Sequence, residues 1–309
     1  MFSKNTQCTL SKRYTYLYKK IRPLRSLFSK LNKFEIRIRK AVNSQRQGNF
    51  SSIFKGTGLE FADLRTYQYG DDVRTIDWIT TAKGQGAYVK IFKEEKEQTV
   101  FFLLDVSASQ KIGALGQTKI DRAKEICGVL ALSALKESSH VGLYAFSDQK
   151  ELYLKPDTGM KFAYKFILKL FENRPLSNKT DITEAIRFTM NRLKKKSVII
   201  IISDFQDDGY HDNLRAIAKK HDLVIIHLYD EREVNLPSLG LIPVKDEESN
   251  AVSWVNTSSR SFQKSMKMAF EETQKTLETI AKKYNANYLS VSSNENFVYR
   301  LVQLFRVRR

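Results

Sequence analysis

Residues 197–204 read SVIIIISD, with five β-branched side chains in succession from Val198 to Ile202. A strand that is apolar on both of its faces must be covered on both, so a half-solvated antiparallel sheet is a poor home for it. The same kind of run recurs at TVFFLLDV (99–106), HVGLYAFS (140–147), DLVIIHLYD (222–230) and ANYLSVS (286–292). Between these runs lie segments with apolar residues at helical spacing: 119–138, 162–173, 181–196, 211–221 and 264–284. KELYLK (150–155) reads as a hairpin strand beside the second run. Strands alternating with amphipathic helices predict an α/β fold, a mostly parallel sheet with helices on both faces. There is no internal repeat.

Composition agrees with a folded chain: 42% of the 309 residues are hydrophobic and 28% charged. The net charge of +18 is unevenly spread. Residues 1–55 hold fourteen Lys and Arg against a single acid, Glu35. The body is close to balanced and the arm is strongly cationic. Within the arm, Leu17, Ile21, Leu24, Phe28, Leu31, Phe34 and Ile38 recur at three- and four-residue spacing, so residues 1–49 are expected to form a basic helical arm. Two readings of it stand side by side: a helix packed on the protein with its basic face solvated, or a surface for anionic membrane, nucleic acid or an acidic partner provided by residues 1–55.

Cys8 and Cys127 are far apart and form no CxxC pair, which disfavours a disulfide framework or a thiolate zinc site. The first thirty residues contain no apolar stretch of signal-peptide length, and the longest apolar runs are too short to span a bilayer. The expected setting is the reducing cytoplasm, with peripheral contact at the inner membrane left open. Four histidines, His140, His211, His221 and His227, show no HxxxH or HExxH spacing and are expected to be structural.

Residues 50–97 differ in character, with Gly at 56, 58, 70, 84 and 86 and short β-type runs between turn signals. They are expected to form a small β-rich element ahead of an α/β domain over 98–309. Its polar block, Arg65, Asp71, Asp72, Arg74, Asp77 and Trp78, is read either as a recognition surface or as local architecture. The architectural reading has Gly70 to Asp72 fixing a turn and Trp78 anchoring the element on the domain. Residues 231–262, with two of the five prolines, are expected to form a surface hairpin without helix, and RLVQLFRVRR at the end a short amphipathic helix.

In a parallel α/β sheet, ligands collect beyond the carboxyl ends of the strands. The first strand delivers Asp105, Ser107 and Ser109 there, SVIIIISD delivers Asp204, and the loop SNKTDITEA supplies Thr180 and Asp181. This DxSxS loop, Thr loop and later Asp resemble the metal-ion-dependent adhesion site of von Willebrand factor type A domains. The resemblance implies that Ser107, Ser109 and Thr180 offer hydroxyls to Mg2+, or to Mn2+ or Ca2+ in its place. Asp105 and Asp204 would hold the ion largely through water. Neutral hydroxyls leave the ion's charge incompletely quenched, so an open position favours an Asp or Glu from a protein partner.

The preceding string, FKGTGLEFADLRTYQYGDDVRTIDW followed by TAKGQGAYVKIFKEEKEQTVFFLLDVSAS, resembles the bacterial family catalogued as domain of unknown function 58. Members join such a block to a type A-like domain, and their genes commonly neighbour MoxR-type AAA+ ATPases. The resemblance therefore implies a protein-interaction module, not an enzyme, working with such an ATPase in assembly, maturation or remodelling of other proteins. Two departures stand out. Gln110 occupies a position where Met is common in the family, and the Thr loop reads NKTD, without the Gly that often precedes Thr. SDF at 203–205 matches the family where many type A domains have SDG.

The competing reading is a Mg2+-dependent phosphoesterase or nuclease. Against it, Ser107 stands where an acyl-phosphate mechanism wants a second Asp, and no GxxxxGK[ST] phosphate loop is present.

Overall fold

A computed structural model describes residues 56–84, 86–96, 98–114, 117–245 and 251–306. The basic arm over residues 1–49, and with it the expected membrane or nucleic-acid surface of residues 1–55, lies outside the described residues.

The elements run β1 (Gly56–Thr66), a 3-10 turn (Val73–Thr75), α1 (Trp78–Lys83), β2 (Tyr88–Lys96), β3 (Thr99–Asp105), a 3-10 turn (Ala108–Lys111), β4 (Gly113–Ala114), β5 (Gln117–Thr118), α2 (Lys119–Lys136), β6 (His140–Phe146) and β7 (Lys150–Asp157). They continue with α3 (Met160–Glu172), α4 (Ile182–Arg192), β8 (Val198–Ser203), α5 (His211–Lys220), β9 (Asp222–Tyr229), α6 (Glu231–Val234), β10 (Leu241–Lys245), β11 (Val252–Asn256), α7 (Arg260–Lys283), β12 (Asn287–Ser292) and α8 (Phe297–Arg306).

Six strands form one sheet in the order β12-β9-β8-β3-β6-β7. All neighbours are parallel except β7, which returns antiparallel on β6 as the short KELYLK run predicts. Phe101 and Leu103 of β3 face one helical layer, with Ile182 and Ile186 of α4, Leu214 and Ile217 of α5, and Leu277 and Ile280 of α7. The alternate residues serve the other face, where the ring of Phe102 meets Phe166 of α3 edge-on at 6.1 Å. Burial on both faces is why β3, β6, β8 and β9 read as unbroken apolar runs. This is the α/β architecture expected of a von Willebrand factor type A-like domain.

Chain order advances from β3 through β6 to β7 on one side of the sheet, then jumps back to β8 and advances through β9 to β12 on the other. The reversal falls between β3 and β8, so the crevice beyond their carboxyl ends is the topological switch point, where α/β sheets bind ligands.

Three local expectations are corrected. A helix, α6, lies inside the stretch expected to have none. Asp230 accepts from the Arg232 N–H, and Glu233 reaches back to the Asp230 N–H, a capping box that the string DEREV carried. The β-rich element also holds a helix, α1, started by Asp77 accepting from the N–H groups of Ile79 and Thr80. Trp78 is 64% exposed and does not anchor the element on the domain. The hairpin β10–β11 precedes α7 as expected.

Candidate metal centre at the switch point

Asp105 closes β3, and the Val106 N–H still donates to the Phe146 carbonyl at 2.9 Å before the chain turns. Asp105 Oδ1 then accepts the Ser107 N–H at 2.9 Å, so the carboxylate folds back on its own loop and begins the 3-10 turn. That turn brings Ser107 Oγ and Ser109 Oγ to 3.0 Å from each other. Asp105 and Ser107 are buried and Ser109 is half-buried.

The Thr loop is stitched to this turn by backbone, the Ala108 N–H donating to the Asn178 carbonyl at 3.0 Å, and by side chains, Lys111 Nζ donating to Asn178 Oδ1 at 3.1 Å. Thr180 sits half-buried in that loop. The neighbouring Asp181 caps α4 by accepting from the Glu184 N–H at 2.7 Å, which accounts for its carboxylate.

The third segment follows β8. Ser203 Oγ donates to Asp105 Oδ2 at 2.6 Å and accepts from the Phe205 N–H at 2.9 Å. Phe205 has φ 55°, a left-handed conformation costly for a bulky residue. This turn leaves Asp204 buried, with Oδ1 accepting from the Gln206 N–H at 3.4 Å. The DxSxS loop, the Thr loop and the end of β8 are thus adjacent, drawn from three distant stretches of sequence.

Four further residues complete the site: Ser203, Lys119 and Glu233, which were not singled out in the sequence, and Gln110, which stood out there only as a departure from the family pattern. Besides Ser203, the Gln110 amide lies 3.4 Å from Asp105 Oδ2, and its oxygen is buried with no partner among the described residues. Lys119, the first residue of α2, is wholly buried, with Nζ 2.7 Å from Asp204 Oδ2 and 2.6 Å from Glu233 Oε1. A lysine opening a basic amphipathic helix carries no signal of such burial. Glu233 belongs to the helix that the sequence reading left out.

Charge at the site is unevenly compensated. Burial, reinforced by the Asp204 charge, pushes Asp105 up to about 7 despite its hydrogen bonds from Ser203 and Ser107. Burial disfavours the Lys119 ammonium, yet Asp204 and Glu233 outweigh it and raise its pKa. Burial holds His227 down to about 4, so its imidazole is neutral; its Nδ1 is 2.9 Å from the Tyr288 hydroxyl and its ring packs near Phe205 and Phe270.

Oxygen donors alone, two of them carboxylates and the rest hydroxyls, suit a hard cation such as Mg2+. Among the described residues no cluster of three or more His, Cys, Asp or Glu side chains is placed to hold a metal, so any ion here depends on the hydroxyls. The buried carboxylate of Asp105, paired with no Lys or Arg among the described residues, and the orphaned oxygen of Gln110 fit a cationic group at this point.

The acidic members of the GDDVRTIDW block serve local architecture. Arg65 grips Asp71 with two bonds of 2.7 Å, Asp71 also accepts the Gln68 N–H, Asp72 caps the 3-10 turn, and Asp77 caps α1. Gly70, at φ 106°, makes the turn that brings Asp71 back to Arg65. Among the described residues no helix is long and apolar enough to cross a membrane.

The chain is similar to uncharacterized proteins of Mycobacterium tuberculosis and Mycobacterium bovis, each 25% identical over 229 residues, which is 73% of this chain and 72% of theirs. Among solved structures it is similar to the conserved hypothetical protein BatB of Bacteroides thetaiotaomicron, at 17% identity and a TM-score of 0.46. That match covers 68% of this chain and 98% of BatB. It is also similar to the SpRpn10 VWA domain, at 13% identity and a TM-score of 0.39, over 66% of this chain and 93% of that domain. A family model matches residues 63–276, more than half of the sequence and the whole of the site, and the chain belongs to the family described as Protein of unknown function DUF58.

Proposed function

We propose that this protein is a protein-interaction module whose binding face is a divalent metal site, and that it is not an enzyme. Asp105, Ser107, Ser109, Thr180 and Asp204 would hold Mg2+, with Mn2+ or Ca2+ as substitutes. The single observation that carries this reading is the buried Asp105 carboxylate, unpaired with any Lys or Arg among the described residues and set beside two serine hydroxyls at the switch point. An ion held by neutral hydroxyls retains enough charge to attract a carboxylate, so the partner is a protein presenting Asp or Glu. Family membership further supports work with a MoxR-type AAA+ ATPase in assembly, maturation or remodelling of other proteins. The setting proposed is the cytoplasm, with peripheral contact at the inner membrane.

Titration of MgCl2 into the full chain by calorimetry tests the site: heat of binding is expected for the natural sequence and none for Asp105→Ala. Equal binding by both would refute the assignment. The ATPase partnership is tested by pulldown from the native cytosol in Mg2+ and in EDTA. Reproducible recovery of other partners without an AAA+ ATPase would remove that part of the reading.

Lys119 beside Asp204 favours phosphoester chemistry in addition to the acidic strand ends, since a lysine and aspartates can grip phosphate through a metal. Its ammonium is buried and engaged by two carboxylates, a poor position for meeting a phosphate from solvent. Turnover of generic phosphate esters in Mg2+ would revive that alternative.

A further inference from the structure

Among the described residues Lys119 is the one fully buried ammonium at the site, and burying it is costly. It opens α2, where the helix dipole disfavours a cation, and its side chain has no solvent exposure. What offsets those costs is a pair of short contacts, to Asp204 Oδ2 and to Glu233 Oε1. Two buried carboxylates, Asp105 and Asp204, and the half-buried Glu233 therefore lie about one ammonium, which is committed to Asp204 and Glu233 and not to Asp105.

We infer that Lys119 is the site's resident counter-cation: it holds Asp204 when no metal is bound, competes with a divalent ion for that carboxylate, and so sets the affinity of the site. The inference rests on the proposed metal site. In this arrangement the metal-free protein stays folded because an internal cation neutralises Asp204, and the ion binds weakly because it meets a carboxylate already engaged. Glu233 moderates the competition by sharing the ammonium: without it, Lys119 would bear on Asp204 alone.

The test is calorimetric titration of MgCl2 and of MnCl2 into the full chain carrying Lys119→Met, with Lys136→Met as control. Lys136 is an exposed cation in the last turn of the same helix, α2, so its loss removes equal charge away from the site. Lys119→Met is expected to bind either ion about tenfold or more tightly, and Lys136→Met within about twofold of the natural sequence. In EDTA the Lys119→Met protein should melt at a lower temperature, with the loss reversed by Mg2+.

Binding by the natural chain that depends on Asp105 but is no tighter in Lys119→Met overturns the inference and leaves the metal reading intact. No binding by either protein overturns both. Should Lys119→Met fail to fold, Glu233→Gln carries the test, because Lys119 then pairs with Asp204 only. Mg2+ binding weaker by about threefold or more is expected, and unchanged or tighter binding overturns the inference.

Discussion

Ser203 Oγ donates to Asp105 Oδ2 at 2.6 Å, tying the ends of β8 and β3 together across the switch point of the sheet. A hydroxyl satisfies that oxygen without neutralising it, so the carboxylate is hydrogen-bonded and still uncompensated. This combination sets the first expectation.

Asp105→Asn keeps the shape of the side chain and removes the charge. In EDTA at pH 8 the substituted protein is expected to be as stable as the natural one or more so, by up to about 2 kcal/mol, because a buried unpaired charge is lost. Mg2+ binding should disappear in the same protein. Urea denaturation with and without the ion reads both effects, and a loss above about 1 kcal/mol in EDTA would show that the charge is compensated after all.

Gly142 in β6 packs directly beneath Phe101. A β-carbon there would lie 2.5 Å from Phe101 Cδ2 and 2.9 Å from Pro156 Cγ. Gly142→Ala is expected to cost about 2–3 kcal/mol, since a fully buried ring has little room to withdraw. Chemical denaturation is the measurement, and a change below about 0.5 kcal/mol would mean that the sheet relaxes around it.

His221 follows α5 with both ring nitrogens buried and unpartnered among the described residues. Burial, then the charge of Lys220, lowers its pKa to about 4. The unfolded chain takes up a proton below about pH 6.5 while the folded chain resists it, so this residue's effect is absent above that pH and grows as pH falls towards 4. Stability should decline by up to about 3 kcal/mol over the window. His227, likewise held down to about 4, contributes over the same window, so His221→Phe should remove about half of the decline, and an unaltered profile in that variant would assign it to other groups.

Trp78 and Phe101 are both aromatic and differ in what covers them. Trp78→Ala is expected to cost less than about 1 kcal/mol, whereas Phe101→Ala should cost about 3–5 kcal/mol. Thermal unfolding distinguishes them, and a large loss at Trp78 would reinstate it as an anchor.

The layered architecture was legible in the chain because burial on both faces keeps the runs Val100–Leu104, Val198–Ile202 and Leu223–Ile226 of β3, β8 and β9 apolar, and the helices between them keep one apolar stripe. That Asp105, Ser107, Ser109 and Asp204 lie at the carboxyl edge of the sheet was legible for a related reason: the first polar residues after each apolar run fall in the crevice, whereas Thr180, on the loop before α4, was singled out by the resemblance to the adhesion-site pattern. Trp78 was misread because an aromatic residue after a turn looks like an anchor in one dimension, and only neighbouring atoms reveal that 64% of it meets solvent.

What the sequence determined by itself, then, was which segments become strands and where their polar ends must lie, since both follow from local periodicity and the demand that apolar faces be covered. The tertiary structure alone decided the pairing of Lys119 with Asp204 and Glu233, and of Ser203 with Asp105. Those partners stand 85, 114 and 98 residues apart. Their contact depends on which strands become neighbours in the sheet and on where α2 and α6 start, and no local pattern encodes a distance across that crevice.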